Sequence, residues 1–233
     1  MEINFRGWEL IMERLQIEEQ EIIQIERKES TLYKVSKRAL DVIASFLGLV
    51  ILSPILLIVA ILIKLESKGP AIFSQKRIGL NGKEFKMYKF RSMVQNADEV
   101  LKELLKDKKY KNEWDLNQKF DNDPRITKTG DVLRRSSLDE IPQLINVLKG
   151  DMSLIGPRPL VKGELDAHNG NHNLYESVRP GISGWWGANG RSETTYEERL
   201  SLEYYYIENY NFLLDIKCIF KTIQVVLFKK GAK

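Results

Sequence analysis

The chain of 233 residues has one cysteine, Cys218, so no internal disulfide framework can form and a reducing compartment suits it. Histidine is almost as scarce. The two present, His168 and His172, stand four apart as ligands on one helical turn would. Gly170 between them and the lack of a third ligand favour a solvated loop over a metal site. A strong charge imbalance is also missing. Lys and Arg number 36 against 32 Asp and Glu, a net charge of +4, which falls short of the dense basic face of a nucleic-acid binder. The first thirty residues are too charged to supply the apolar segment of an export signal, and none is expected there. Internal repeats and low-complexity tracts are absent.

What the chain does have is a long stretch without charge. From Val42 to Ile63 there are 22 uncharged residues, and at about 1.5 Å per residue a straight helix of that length reaches about 33 Å, enough to cross a bilayer core. Ser53 and Pro54 sit in its middle. Proline lacks an N–H and its ring crowds the preceding turn, so a bend is expected there, with the Ser53 hydroxyl serving a carbonyl left without a donor. Lys34, Lys37 and Arg38 precede the run and Lys64, Lys68, Lys76 and Arg77 follow it, so positive charge marks neither flank as the inner one. A re-entrant hairpin that returns to the face it entered satisfies both flanks; a kinked span and a buried core helix are the alternatives.

Near the C-terminus Leu213, Ile216, Phe220, Ile223 and Leu227 recur at helical spacing, with Ile219 and Val226 beside them and Lys217, Lys221, Lys229 and Lys230 at the flanks. This suits an interfacial helix, or equally a helix facing a core. Between the two apolar pieces, mixed runs around Asn81-Gly82 predict a hairpin whose strands carry Lys76, Arg77, Lys86, Lys89 and Arg91 toward an anionic surface or into solvent. NADEVLKELLKDKKYKNEW predicts one helix. Asp123-Pro124 and Gly130 read as breaks, and PQLINVLKGD as a short helix stopped by Gly150. Gly181, Gly184, Gly187 and Gly190 around Trp185-Trp186 predict a mobile aromatic loop.

The chemistry gathers at Asp139 and Glu140. Ser137 and Glu140 have capping-box spacing, and Pro142 pushes the helix start a few residues on, so both acids are expected at a helix N-terminus, where capping alone would account for them. Their company argues otherwise. Arg134 and Arg135 precede them, and Arg158 follows in GPRP, its backbone stiffened by a proline on each side. Arginines of fixed geometry grip phosphates, a carboxylate can attack phosphorus to form an acyl phosphate, and an acidic neighbour can hold Mg²⁺. Such a set suits phosphoryl transfer.

KRALDVIASFLGLVILSP, GPAIFSQKRIGLNGKEFKMYKFRSM, NDPRITKTGDVLRRSSLDEIPQLINVLKGDMSLIGPRP and RPGISGWWGANGR occur in the order seen in the bacterial sugar transferases, the monotopic polyprenyl-phosphate phosphoglycosyl transferases, which the chain resembles from about Lys37 to Lys229. The resemblance implies a cytoplasmic-face enzyme, anchored by a re-entrant helix broken at a Ser-Pro pair, here Ser53-Pro54. It would move a sugar phosphate from a UDP-sugar to undecaprenyl or another polyprenyl phosphate, releasing UMP through a phosphosugar-aspartate intermediate. By the same resemblance Asp139 is the nucleophile and Glu140 the Mg²⁺ partner. Arg134, Arg158 and Arg125 would contact phosphates, and the loop with Trp185 and Arg191 the substrate. Membrane lipid is an implied partner, nucleic acid is not, and a homodimer is left open. The expected fold is mixed α/β, mostly a small helical soluble domain with the re-entrant membrane helix and interfacial amphipathic helices. Its parts are an arm over 1–33, the helix hairpin over 34–68 and the catalytic domain over 69–233. Against this stand direct metal-assisted transfer with no covalent intermediate, and a non-catalytic membrane-anchored adaptor.

Overall fold

The computed structural model describes residues 31–117, 120, 122–189 and 194–227, with backbone alone at 115–117 and 225–227. The arm before Thr31, Arg191, Lys229 and Lys230 lie outside the described residues. The chain divides into two compact units, Met1–Lys37 and Arg38–Lys233. Of the first, the described part is the opening of one helix.

The apolar run forms helix α1, Thr31–Glu66, about 54 Å long at 1.5 Å per residue. It continues through Pro54 without a loop, so any change of direction there is a bend within one helix. Pro54 cannot donate to Val50, four residues back, and the Ser53 hydroxyl donates to that carbonyl instead at 2.8 Å, as the sequence predicts. Asp41, Ser45, Val59 and Ile63 are buried, and Gly48, Leu52 and Leu56 half-buried, at the three- and four-residue spacing of a single helix face. The other faces leave Val42, Ile43, Phe46, Leu47, Val50, Ile51, Leu57, Ile58, Ile61 and Leu62 exposed. This helix fits membrane association by length and composition.

Both ends of the buried stripe are fixed to the globular part. Arg38 donates to the carbonyls of Val147 and Leu148 at 2.6 and 2.9 Å. The Asp41 carboxylate accepts from the Leu154 N–H and the Ser153 hydroxyl. At the far end Val59 and Ile63 pack with Ala71, Phe90 and Leu133, each buried aliphatic side chain contributing roughly 1.5–3 kcal/mol. The Arg91 guanidinium closes that helix end by donating to the carbonyls of Lys68 and Ser67 at 2.6 and 2.8 Å.

The rest is a small, mostly helical domain with two short sheets. Strands β1 (Ile72–Ile78) and β2 (Glu84–Phe90) pair antiparallel with Ile72 opposite Phe90 and Ile78 opposite Glu84. They are joined by a 3₁₀ turn at Leu80–Gly82 in which Asn81 and Gly82 have φ of 55° and 71°, the left-handed pair that an Asn-Gly hairpin requires. Helix α2 (Ala97–Leu104) is followed by α3 (Lys108–Asn117), so the single helix expected here is two. The Asp107 carboxylate accepts the Lys109 N–H at 2.8 Å and starts a new helix where the old one stops. Helix α4 (Lys128–Ser136) begins at Thr127, whose hydroxyl accepts the Gly130 N–H. Gly130 is therefore inside a helix, not a break. A Cβ there would lie 2.0 Å from the Ser92 carbonyl oxygen, which explains the glycine by close approach.

Helix α5 (Gln143–Lys149) stops at Gly150, φ +86°, as expected. Strand β3 (Ser153–Ile155) pairs in parallel with β4 (Gly181–Ser183), and α6 (His172–Tyr175) lies between them in sequence. Helices α7 (Trp185–Asn189), α8 (Tyr196–Asn209) and α9 (Phe212–Leu227) complete the described chain. The expected mobile loop around Trp185-Trp186 is thus partly strand and helix. Gly181 and Gly184 are needed for packing, since a Cβ at either would sit 2.1 Å from Gly156 backbone. The largest core cluster joins Ile155, Leu160 and Tyr175 to Leu200, Tyr206 and Ile207 of α8 and Leu214 and Cys218 of α9. The sequence stripe on α9 is split: Leu213, Phe220 and Ile223 are exposed, Ile216 is half-buried, and Ile219 packs against the core beside the buried Leu214 and Cys218.

Candidate active site

Asp139 and Glu140 end a 3₁₀ turn, Leu138–Glu140, that follows Ser137 in the left-handed conformation, φ 57°. Ser137 makes no side-chain cap, and α5 starts four residues after Asp139 with Pro142 before it. The expected capping box is absent because the positive φ at Ser137 closes α4 and leaves no helix for Glu140 to cap. Glu140 turns to β2 instead, where the Lys89 ammonium donates to its Oε1 at 2.8 Å.

Asp139 is 9% exposed, and among the described residues no other residue donates a hydrogen bond to its carboxylate. Burial first, and then the Glu140 charge, push its pKa above the usual carboxylate range, while Lys89 and Arg134 pull it down. A buried carboxylate that no other residue bonds is costly to maintain. Leu138 beside it packs against the buried cluster in which Val59 and Ile63 of α1 meet Ala71, Phe90 and Leu133, so α1 lies under the dyad's turn.

Arg134 stands on the last turn of α4. Its Nε donates to the Ser92 hydroxyl at 2.9 Å, which leaves both terminal nitrogens without a hydrogen-bond partner among the described residues. Arg125 is engaged differently. It donates twice to Asp123, at 2.8 and 2.7 Å, is buried, and lies over the rings of Trp114 and Phe120. This geometry fits a structural ion pair rather than the phosphate contact expected of it. Arg158 is exposed, and its guanidinium lies 5.7 Å from the Trp186 ring centre. Trp185 packs on the ring of Tyr205 and under Lys221. Of the two tryptophans, Trp186 is the one beside the arginines.

Two adjacent carboxylates fit Mg²⁺, which is commonly held by one or two carboxylates with water and substrate phosphate oxygens completing its six positions. Among the described residues no third acid or histidine joins them, so an all-protein cage does not fit. His172 is no metal ligand either: its two ring nitrogens face Asp166 and Glu176, each at 2.8 Å. His168 stacks on Tyr196.

Sequence reasoning missed a second charged cluster behind Arg158. Arg199 and Glu203 of α8 are both buried, Arg199 pairs with Glu164 at 3.0 Å, and Arg77 reaches the Pro159 carbonyl. The signal was available: Arg199 and Glu203 fall on the apolar face of their helix, in register with Leu200, Tyr206 and Ile207.

The profile of the bacterial sugar transferases matches residues 32–229. The chain belongs to the bacterial sugar transferase family. Over 199 residues it is 41% identical to the exopolysaccharide production protein ExoY of Sinorhizobium fredii, covering 85% of this chain and 88% of that protein. It is 45% identical over 197 residues to the undecaprenyl-phosphate galactose phosphotransferase of Salmonella typhimurium, covering 84% of this chain and 41% of the relative. It is 39% identical over 210 residues to the UDP-N-acetylgalactosamine-undecaprenyl-phosphate N-acetylgalactosaminephosphotransferase of Aeromonas hydrophila, covering 88% and 46%. The chain thus spans most of ExoY and under half of the other two. The family member described here is an enzyme of the phosphoglycosyl transferase type.

Proposed function

We propose that the chain transfers a sugar 1-phosphate from a UDP-sugar to a polyprenyl phosphate such as undecaprenyl phosphate, on the cytoplasmic face of the bacterial inner membrane. The observation that carries this reading is Asp139 itself, buried beside the Lys89–Glu140 pair with no other described residue hydrogen-bonded to its carboxylate. The relatives' names supply the substrate classes.

A carboxylate oxygen of Asp139 attacks the phosphorus that bears the sugar, and the bond from that phosphorus to the bridging oxygen breaks. UMP leaves with the electron pair, and the sugar phosphate remains as an acyl phosphate on Asp139. An oxygen of the polyprenyl phosphate then attacks the same phosphorus and restores the carboxylate. Arg134 and Arg158 bind the phosphate oxygens, and Lys89 holds Glu140 in place beside the nucleophile. Mg²⁺, held by Glu140 with Asp139 adjacent, would neutralise charge on the transferring phosphates.

The anchor reading is that α1 dips into one leaflet and returns, with α9 lying in the interface. Support comes from Asp41 and Ile63, 22 residues apart yet both fixed to the same domain; a straight crossing would draw part of that domain into lipid. The outward Leu213, Phe220 and Ile223 of α9 give the second apolar contact.

The test is UMP release from a panel of UDP-sugars, with undecaprenyl phosphate in detergent and Mg²⁺ present. Multiple-turnover release that requires acceptor, beyond the single UMP per enzyme freed without it, and that is lost in Asp139→Asn, is expected. Failure of every UDP-sugar to yield UMP would overturn the reading.

A further inference from the structure

The backbone on either side of Arg158 is held by side chains from three separate elements. The Arg158 N–H donates to Oε1 of Glu203 on α8 at 3.1 Å. The Arg158 carbonyl accepts the Tyr175 hydroxyl of α6 at 2.9 Å. The next carbonyl, that of Pro159, accepts from Arg77 Nη1 of β1 at 3.3 Å. Between these fixed points the guanidinium itself has no hydrogen-bond partner among the described residues. The prolines at 157 and 159 already limit the turn, so three side-chain bonds on two residues exceed what the fold needs to pass the chain through.

We propose that Glu203, Tyr175 and Arg77 are positioning residues that clamp the GPRP turn, so that the Arg158 guanidinium is presented in one orientation to the donor diphosphate. This rests on the reading above that Arg158 binds donor phosphate. Glu203 is suited to the task by its surroundings. It is 1% exposed, and its second oxygen, Oε2, has no hydrogen-bond partner among the described residues. Burial raises its pKa to about 7, against the Arg158 N–H bond and the charges of Arg199 and Arg158, which lower it. The groups around it are Arg158, Tyr175 on α6, Arg199 on its own helix, and Arg77 and Glu164, which share the field of Arg199. Burial pushes the Tyr175 phenol well above its ordinary range, so it stays a donor to Arg158 throughout.

The experiment measures UDP binding to the full-length protein in detergent by calorimetry, in a double-mutant cycle. Tyr175→Phe, which removes only the hydroxyl, should weaken UDP about fivefold, the weight of one hydrogen bond. In an Arg158→Ala background the same change should cost less than twofold, because nothing remains to be positioned. An equal factor in both backgrounds, or none in the wild type, overturns the clamp. Unchanged UDP affinity in Arg158→Ala alone would instead remove the phosphate-binding role of Arg158, and the clamp with it. In a second arm, wild-type UDP affinity weakens as pH falls through about 7, as Glu203 takes up a proton and its carboxylate becomes a weaker acceptor for the Arg158 N–H. Glu203→Gln, with its melting temperature recorded, should show a flatter profile. A profile identical to wild type contradicts the role of Glu203.

Discussion

The two carboxylate oxygens of Glu66, the last residue of α1, accept the backbone N–H groups of Lys128 and Thr129 at 2.7 and 2.9 Å. These are the first two residues of α4, whose N–H groups have no partner inside the helix. The other end of α4 carries Arg134 and leads into the turn with Asp139, so α1 and that turn are joined through one short helix. Slight burial raises the Glu66 pKa, and the bonds from Thr129 and Lys128 outweigh it and hold the carboxyl below its ordinary range. Its stabilising effect is therefore present above about pH 4.5 and fades as pH falls through the lowered value. Glu66→Ala should cost about 1 kcal/mol, as loss of a helix cap does, and lower the melting temperature by about 2–4 °C at neutral pH. The gap between the two proteins should close in acid.

Lys89→Met removes the ammonium that meets Glu140. The pair is partly exposed, with side chains 26% and 31% accessible, so stability should change by less than about 1 kcal/mol. Turnover should fall by roughly 10²–10³, because Glu140 loses the group that orients it beside the nucleophile. Steady-state UMP release alongside a thermal melt separates the two effects.

His172 lies between Glu176 and Asp166, and hydrogen bonds to those two carboxylates, in that order, raise its pKa above the ordinary value. A raised folded-state value means the stabilisation is full below about pH 6.5 and is lost as pH rises through the higher folded value. The site is largely exposed, so the effect is small. The melting temperature of the wild type should fall slightly more than that of His172→Gln between pH 6 and pH 8, by scanning fluorimetry.

Single cysteines introduced at Lys34 and Lys68 report the path of the anchor, with the buried Cys218 silent. Both should react with an impermeant maleimide from the cytoplasmic face alone. Pro54→Leu, which restores the missing N–H and relieves the ring, should raise the share of molecules in which position 34 is reached from the far side. Labelling of the two wild-type positions from opposite faces contradicts a re-entrant path.

Much of this was legible in local pattern. Asn81-Gly82 specified its turn, Gly150 its helix stop, and the uncharged run its helix, because each signal depends on neighbours in sequence. Serine at 53 could be read as the substitute donor for the same reason. The failures came where distant chain segments decide. Gly130 reads as a break but is small because Ser92 passes over it; Gly181 and Gly184 read as loop but are small because Gly156 lies against them. Arg125 reads as a phosphate ligand, and the structure adds an ion pair with Asp123 two residues away that the reading did not include. The dyad itself was visible, but its partner Lys89 lies 51 residues upstream, and only the folded sheet brings the two together.

The central claim is that Asp139 carries the sugar phosphate between donor and acceptor. Incubation with a turned-over UDP-sugar in the absence of polyprenyl phosphate, followed by rapid quench and mass spectrometry of the Asp139 peptide, tests it most directly. The account predicts a mass increase of one sugar phosphate on that peptide, UMP equal to the labelled fraction, and loss of both in Asp139→Asn. An unmodified peptide together with UMP release only after acceptor is added, or a sugar phosphate on another residue, would contradict it.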